Sequence, residues 1–295
     1  MCGIVGLFLK KDALRPRLGD MLTDMLITMT DRGPDSAGIA IYGDASEGLK
    51  MTVQSDVPET GFAGLEAALG AALGAPVGVA VIDTHAVLTI PADAEAAARA
   101  FAADRGLRVM GVGSAMEIFK EVGLPKDVAA RFGIRAMAGS HGIGHTRMAT
   151  ESAVTTMGAH PFSTGDDQCL VHNGSLSNHN AMRRVLSEKG FAPQTQNDTE
   201  VAACYISSRL AEGANLGEAL EGTLQDLDGF FTFVVGTKNG FGVVRDPIAC
   251  KPAVMAETDD YVAFGSEYRA FANLPGIEAA RVWEPEPATV YFWER

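Results

Sequence analysis

Hydrophobic positions near the start of the chain predict a strand, a helix and a second strand. The uninterrupted apolar runs at residues 3–9 and 38–42 are typical of buried strands. The segment between them repeats its apolar residues at helical spacing, at Leu14, Leu18, Met21, Leu22, Met25, Leu26 and Met29. These methionines are interpreted as core filling, because the flexible thioether adapts to irregular packing.

The pattern changes between about residues 52 and 140. Alanine-rich stretches with helical periodicity, AGLEAALGAAL and DAEAAARAFAAD, alternate there with the short strand-like segments VGVAVID, AVLTI and RVMGV. We interpret this region as a small α/β subdomain inserted into a single domain that covers residues 2–295.

The remaining chain predicts strands and helices in clusters. Strand-like segments are GSHGIGHTR, QCLVHN, FFTFVVG, GFGVVRD, YVAFGS and ATVYFW, and helices are expected at 178–189, 198–211 and 216–227. Clustering of this kind favours layers of sheet covered by helices over strict βαβ alternation. The expected fold class is therefore α+β.

Composition narrows the possible functions. The chain has 295 residues, 47% of them hydrophobic, and a net charge of −13. The negative charge disfavours nucleic acid and anionic lipid as partners, and no segment has the length and apolarity of a membrane span. The four cysteines, Cys2, Cys169, Cys204 and Cys250, are widely spaced, which is typical of free thiols and predicts a cytoplasmic protein.

Cys2 follows the initiator methionine. If Met1 is removed, Cys2 carries both a thiol and the α-amine, whose reference pKa of about 7.7 to 8.0 suits a base that activates a thiol near neutral pH. One residue would then supply nucleophile and base, as in N-terminal nucleophile enzymes. The alternative is a small buried hydrophobe at the start of a strand.

Two arginine segments are candidates for binding a carboxylate. Arg32 lies in DRGPDSAG, which also fits a structural turn. Arg147 lies in GHTRMATES, where its guanidinium fork suits an α-carboxylate and Thr150 adds a hydroxyl. A surface ion pair is the alternative for Arg147.

Two further segments carry groups that suit amide chemistry. Asn173-Gly174 ends a strand, where a side-chain amide and a backbone N–H can form an oxyanion hole or simply a turn. In NDTE, Asn197 and Glu200 have the spacing of a helix capping box, which leaves the Asp198 carboxylate available to an ammonium group.

Metal binding is not expected from the histidines. His141 and His145 are four residues apart, but they flank a strand-like segment and lack the glutamate of an HExxH motif. His160 and His172 are interpreted as residues of the core or of the frame around a site.

Taken in order, these five segments resemble the class II, N-terminal nucleophile type of glutamine amidotransferase domain. That family begins Cys-Gly-Ile-Val-Gly and continues with an Arg-Gly-x-Asp-(Ser/Ala)-Ala-Gly turn, His-Thr-Arg-x-Ala-Thr, His-Asn-Gly and Asp-Thr-Glu. The matching positions here are Cys2, Arg32, Arg147, Asn173-Gly174 and Asp198. LDGFFTFVVG, GVVRDPIACKP and FGSEYRAF resemble the second half of the family, so the likeness reaches both ends of the chain.

The resemblance implies a four-layer αββα sandwich and the hydrolysis of L-glutamine to L-glutamate and ammonia. Arg147 and Asp198 would hold the carboxylate and ammonium of the substrate, while Cys2 attacks the side-chain amide. Asn173 and the N–H of Gly174 would stabilise the oxyanion. Arg32 and Thr150 are expected to contact the substrate.

HTRMATES and GAHPFS are most similar to amidotransferase subunits of glutamate-synthase-type enzymes, including N-methylglutamate synthase. Met148 and Glu151 stand where sugar- and purine-pathway members often have Trp and His, so the substrate-lid contacts of those members are not carried over. The resemblance implies a subunit without a cofactor of its own. Its partners would be an FMN- and iron-sulfur-containing synthase subunit, which receives ammonia through a tunnel, and a GxGxG-repeat subunit.

Two other functions remain open. The same pocket fits a glutamine or glutamate sensor, or an assembly subunit with weak or no hydrolysis. The second is an N-terminal nucleophile hydrolase that acts on another amide. The paired contacts expected for a carboxylate and an ammonium group argue against it.

Overall fold

Most of the strands overlap the segments predicted to be strands. The structure is a computed structural model that describes residues 2–149 and 153–295. Its strands are β1 (Gly3–Leu9), β2 (Ser36–Tyr42), β3 (Leu49–Gln54), β4 (Gly78–Ile82), β5 (His85–Ile90), β6 (Arg108–Gly113), β7 (Met116–Val122), β8 (His141–Arg147), β9 (Phe162–Gly165), β10 (Gln168–Leu176), β11 (Gly229–Gly236), β12 (Gly240–Arg245), β13 (Val254–Glu257), β14 (Tyr261–Gly265), β15 (Arg281–Trp283) and β16 (Thr289–Glu294). Of these, β3, β7, β9, β13 and β15 were not predicted.

Six of the eight described helices lie within segments predicted to be helical. The helices are α1 (Leu18–Ile27), α2 (Pro58–Gly61), α3 (Leu65–Leu73), α4 (Glu95–Asp104), α5 (Pro125–Arg131), α6 (His179–Glu188), α7 (Asp198–Ala211) and α8 (Leu216–Asp226). Of these, α2 and α5 were not predicted. Within the described residues, none of the helices has the length and apolarity needed to cross a bilayer.

Two antiparallel sheets form the centre of the fold. The seven-stranded sheet has the order β15-β13-β14-β1-β8-β2-β7, and the five-stranded sheet has the order β16-β12-β11-β10-β9. Their facing sides share a core that includes Ile4, Ile143, Val171 and Phe241. All seven residues of β1 are buried, because this strand is covered on both faces, and its sequence is accordingly a continuous apolar run.

Helices cover the two outer faces. The apolar side of α1 packs on the seven-stranded sheet together with residues of α5, whereas α7 and α8 pack on the five-stranded sheet. The four layers are thus helix, sheet, sheet and helix. This confirms the predicted α+β class and the αββα sandwich.

Helix α7 begins at a cap that differs from the predicted capping box. The Asn197 side chain accepts a hydrogen bond from the Thr199 N–H at 2.9 Å. Glu200 instead turns toward the preceding loop, where its carboxylate accepts the N–H groups of Gln194 and Thr195. Glu200 therefore fixes the loop that leads into Asp198 and does not cap the helix.

A third sheet, with the order β4-β5-β3-β6, lies between residues 49 and 113. Its core contains residues of α3 and α4, for example Leu69 and Ala98. This sheet ends earlier than the insertion predicted at about 52–140. Strand β7 pairs with β2 in the seven-stranded sheet, and residues of α5 pack in the same core as α1.

Candidate active site

Cys2 lies immediately before β1, where both large sheets contribute contacts. It is a free cysteine and is partly exposed. Its main-chain oxygen accepts hydrogen bonds from Arg32 Nε at 2.9 Å and from Asn173 Nδ2 at 3.3 Å. Two groups distant in sequence therefore fix the backbone that carries the thiol.

Arg32 is held within the protein. Besides its bond to Cys2, its Nη1 donates to Glu267 Oε1 at 2.8 Å. The turn packs so closely that a Cβ on Gly33 would lie 2.5 Å from the Arg147 nitrogen. The arrangement gives Arg32 a role in positioning Cys2, and its contact with substrate stays a prediction.

Arg147 is the last residue of β8 and is brought to the same end of β1 as Cys2, because Thr146 pairs with Gly3. The Thr146 hydroxyl donates to Met29 O in the helix layer. Side chains alternate along a strand, so Arg147 faces the five-stranded sheet. His145, on the same face, donates Nε2–H to His172 O at 3.1 Å.

Backbone contacts hold the segment around Arg147. Asp35 donates its N–H to Arg147 O at 3.1 Å and accepts the Ala149 N–H at 2.8 Å. Arg147 Nη1 donates to Ala153 O at 3.3 Å. Thr150, the other predicted contact of this segment, lies outside the described residues.

Asn173 and Gly174 lie on β10 opposite β11. The φ of Gly174 is +155°, and a Cβ at this position would lie 2.0 Å from Phe230 O. Only glycine fits here. Its missing side chain allows β10 to approach β11 beside the Asn173 amide.

Asp198 is the first residue of α7. Its Oδ2 accepts the Leu176 N–H at 2.9 Å, and its Oδ1 lies 3.8 Å from His172 Nδ1. The side chain retains 23% exposure, so the carboxylate can reach a ligand from solvent. Its position at a helix N-terminus stabilises the negative charge.

Three buried histidines lie behind these groups. Burial lowers the pKa of His145 to about 3 and the pKa of His160 well below its ordinary value. Burial also lowers the pKa of His172, against the opposite effect of the Asp198 carboxylate. All three rings are therefore neutral near pH 7.

The described residues contain no group of three or more His, Cys, Asp or Glu side chains arranged to hold a metal ion. Cys169 and Cys204 are buried, and burial raises the pKa of each thiol to about 12. Such thiols are poor nucleophiles and poor metal ligands at neutral pH.

A cavity of about 380 Å³ opens beside α7, between β9 and the third sheet. Thr195 and Glu200 line it, together with Lys120 and Phe162. The Lys120 ammonium already donates to Ala159 O and Pro161 O. Cys2 does not line this cavity, so the cavity is separate from the Cys2 thiol.

The structure thus brings Cys2, Arg32 and Asn173 into direct contact and places Asp198 beside the histidine that precedes Asn173. Sequence reasoning missed Glu267 and Thr199. Glu267 lies in FGSEYRAF, a segment that the resemblance did include, and Thr199 lies in the NDTE segment. Both residues thus belong to motifs that the sequence analysis had singled out. Sequence spacing does not show which distant residue a side chain contacts, so neither contact was predicted.

Several known proteins are similar to this chain in sequence or in fold. The family model of the glutamine amidotransferase domain matches residues 145–273. The glutamine amidotransferase-like protein GlxB of Rhizobium meliloti (strain 1021) is 71% identical over 297 residues, covering 100% of this chain and 98% of the relative. A glutamine–fructose-6-phosphate aminotransferase (isomerizing) of Vibrio vulnificus (strain YJ016) is 33% identical over 134 residues, covering 45% of this chain and 22% of that protein.

Among solved structures, the glutamine phosphoribosylpyrophosphate amidotransferase from B. subtilis, complexed with ADP and GMP, superposes with a TM-score of 0.63 at 19% identity. The match covers 99% of this chain and 47% of that one, so this chain spans about half its length. At this identity the likeness shows the fold alone. Together with the nearly full-length match to the Rhizobium protein, these findings show that the chain belongs to the glutamine amidotransferase family.

Proposed function

We propose that the protein hydrolyses L-glutamine to L-glutamate and ammonia through a thioester on Cys2. The hydrogen bond from Asn173 Nδ2 to Cys2 O is the observation that carries this proposal. It places a side-chain amide donor beside the residue whose sulfur would attack. A donor in that position can stabilise an oxyanion as it forms.

The substrate would be held by its two charged ends. Arg147 suits the α-carboxylate, because a guanidinium binds a carboxylate through two parallel hydrogen bonds. Asp198 suits the α-ammonium, since its Oδ2 is held by the Leu176 N–H while the side chain as a whole stays 23% exposed. The side-chain amide would then extend toward Cys2.

In the first half-reaction, the α-amine of Cys2 takes the thiol proton and the sulfur forms a bond to the amide carbon. The Asn173 amide and the Gly174 N–H stabilise the oxyanion. The ammonium then returns the proton to the leaving nitrogen, the C–N bond breaks, and ammonia departs from a thioester. This chemistry requires removal of Met1.

In the second half-reaction, water attacks the thioester carbon while the α-amine takes a proton from the water. The tetrahedral intermediate collapses, the C–S bond breaks, and the thiolate regains the proton. L-glutamate leaves, and Cys2 returns to its starting state.

Ammonia production is tested with protein whose first residue has been identified by mass spectrometry as Cys2. We expect glutamate and ammonia to appear in equal amounts.

A chloroketone analogue of glutamine should alkylate Cys2, and bound glutamine should slow this alkylation. Exposed Cys250 is the internal control, since its alkylation should not respond to glutamine. Protein that neither turns over glutamine nor is protected by it would refute the proposal, whereas protection without turnover would favour a binding or assembly subunit.

We further propose that the ammonia passes to a glutamate-synthase-like partner, such as an N-methylglutamate synthase subunit. This partner would carry FMN and an iron-sulfur cluster. A GxGxG-repeat subunit would be the second partner. The similarity of HTRMATES and GAHPFS to subunits of that type supports this. A tagged chain purified from its own cells should bring with it a fraction showing flavin absorbance and acid-labile sulfide. A stable complex without flavin or iron would refute the partner.

A further inference from the structure

The Thr199 hydroxyl lies between two of the buried histidines. Thr199 is the second residue of α7 and is 1% exposed. Its Oγ1 lies 2.8 Å from His160 Nε2 and 3.0 Å from His172 Nδ1. Both distances are those of hydrogen bonds. The proposed mechanism gives this hydroxyl no task.

A hydroxyl has a single proton, so Thr199 can donate to only one of the two rings and must accept from the other. Both imidazoles are neutral, and each therefore carries one N–H. In one arrangement His172 donates Nδ1–H to Thr199, which donates to His160. In the other arrangement every donor and acceptor is exchanged, and His172 carries its proton on Nε2.

The negative charge of Asp198 favours one of the two arrangements. Its Oδ1 lies 3.8 Å from His172 Nδ1, and a carboxylate at that distance attracts an N–H dipole and repels a lone pair. In both arrangements one buried N–H lacks a partner among the described residues, either at His160 Nδ1 or at His172 Nε2. The carboxylate therefore favours the arrangement in which His172 carries its proton on Nδ1.

The same N–H could otherwise be donated to Asp198. Of the two carboxylate oxygens, Oδ2 is already bound by the Leu176 N–H. The other oxygen, Oδ1, accepts no hydrogen bond from the described residues and is therefore the more open of the two to an ammonium group of a ligand. By accepting the His172 N–H, Thr199 keeps that oxygen available.

We propose that Thr199 is a positioning residue: its hydroxyl fixes the Nδ1–H tautomer of His172 and prevents that ring from competing with the substrate ammonium for Asp198. This role rests on the proposed binding of glutamine. The tautomer itself does not depend on catalysis, and the two can be tested separately.

The tautomer is tested first, by NMR of the imidazole nitrogens in ¹⁵N-labelled wild-type protein at pH 7. We expect His172 to carry its proton on Nδ1 and His145 to carry its proton on Nε2, the latter because His145 donates to a carbonyl oxygen. His172 protonated on Nε2 would overturn the proposal whether or not the protein hydrolyses glutamine.

The variant Thr199→Val removes the hydroxyl and retains nearly the same volume. We expect the KM for glutamine to rise about tenfold, with kcat within about threefold of wild type, because a buried group left without its partner seeks a new one. The His172 N–H should then bind Asp198, which raises the pKa of His172 in the NMR titration. Thr199→Ser should restore both values.

Thr223→Val is the matched control, because Thr223 is also a buried helical threonine and its hydroxyl donates only to Leu220 O of its own helix. It should leave the KM and the His172 titration unchanged. Equal KM values for Thr199→Val and wild type would overturn the positioning role, as would a loss confined to kcat. Absence of turnover in wild-type protein would instead count against the proposed glutaminase activity and leave the NMR result standing.

Discussion

Asn173 donates its side-chain amide to the main-chain oxygen of Cys2 across the junction of the two large sheets. The residues belong to different layers, one on β10 and the other just before β1. Arg32 binds the same oxygen from the turn before β2. The position of the thiol is therefore fixed by long-range contacts, and this makes the roles of the surrounding side chains testable one at a time.

Cys2→Ala should reduce ammonia release from glutamine by at least about 1000-fold, since the variant lacks the nucleophile. Glutamate binding, followed by thermal shift, should persist, because the proposed contacts to the charged ends of the ligand are intact. Cys250→Ser serves as the control and should retain wild-type turnover. Ammonia release by Cys2→Ala at the wild-type rate would exclude a Cys2 thioester.

Asn173→Ala should lower kcat about 100- to 1000-fold, which is the usual cost of one oxyanion donor. KM should change little, because the amide is expected to act on the transition state more than on bound glutamine. Steady-state kinetics separate the two parameters. The control is Asn239→Ala, which removes an exposed asparagine from the turn between β11 and β12 and should change neither kcat nor KM. A rise in KM with unchanged kcat for Asn173→Ala would contradict the oxyanion role.

Arg147→Ala and Asp198→Ala should each raise the KM for glutamine about 10- to 100-fold, as expected for the loss of a charge-assisted hydrogen bond. Arg147→Lys should lie between Arg147→Ala and wild type, because an ammonium retains the charge without the fork. The control is Arg209→Ala, whose side chain is partly exposed on α7 and lies near Glu212, away from the candidate site. Unchanged KM values would show that the substrate is held elsewhere.

Gly174→Ala should destabilise the fold by at least about 3 kcal/mol, because its Cβ would meet the Phe230 carbonyl oxygen at 2.0 Å. Gly64→Ala provides the comparison. Gly64 also has a positive φ, +62°, but a Cβ there meets nothing within 4 Å, so the cost should be about 1 kcal/mol. Urea unfolding measures both values, and equal costs would contradict the packing argument.

Stability should fall as the pH drops below about 6.5. Burial lowers the pKa of His145 to about 3 and that of His141 to about 4, whereas in the unfolded chain each ring titrates near 6.5. Between these values the unfolded state binds more protons, so acid favours unfolding. Each histidine contributes up to about 1.4 kcal/mol per pH unit.

The pH effect can be measured by urea unfolding between pH 7 and 5. Burial also lowers the pKa of His85 to about 3, and this residue lies in the third sheet, away from the candidate site. His85→Leu should therefore make the pH dependence shallower by up to one proton. A slope identical to that of wild type would contradict the assignment of His85 as neutral and buried.

Local patterns predicted most of the elements. The run at 3–9 coincides with β1, and the helices expected at 198–211 and 216–227 are found as α7 and α8 to within one residue. Side-chain periodicity determines these elements directly. The short strands β9, β13 and β15 were not predicted, because three or four residues contain too little periodicity to identify. The longer strands β3 and β7 were also missed, because charged and polar residues interrupt their apolar positions.

The extent of the insertion was harder to predict. The composition of β7 does not distinguish it from the strands of the third sheet, yet Ser36 pairs with Val122 and Tyr42 with Met116 in the seven-stranded sheet. Sheet membership is decided by pairing partners distant in the chain. For the same reason the motifs marked Cys2 and Asn173 as candidates but gave no reason to expect Glu267 beside Arg32.

The pairing of Tyr42 with Met116 has a consequence for the architecture. The chain leaves the seven-stranded sheet at one position and returns directly opposite it, so the whole third sheet occupies the place of a hairpin turn. Since the entropic cost of closing a loop grows only with the logarithm of its length, a segment of this kind can be lengthened, exchanged or recruited to new contacts while the strands that carry the cysteine keep their register.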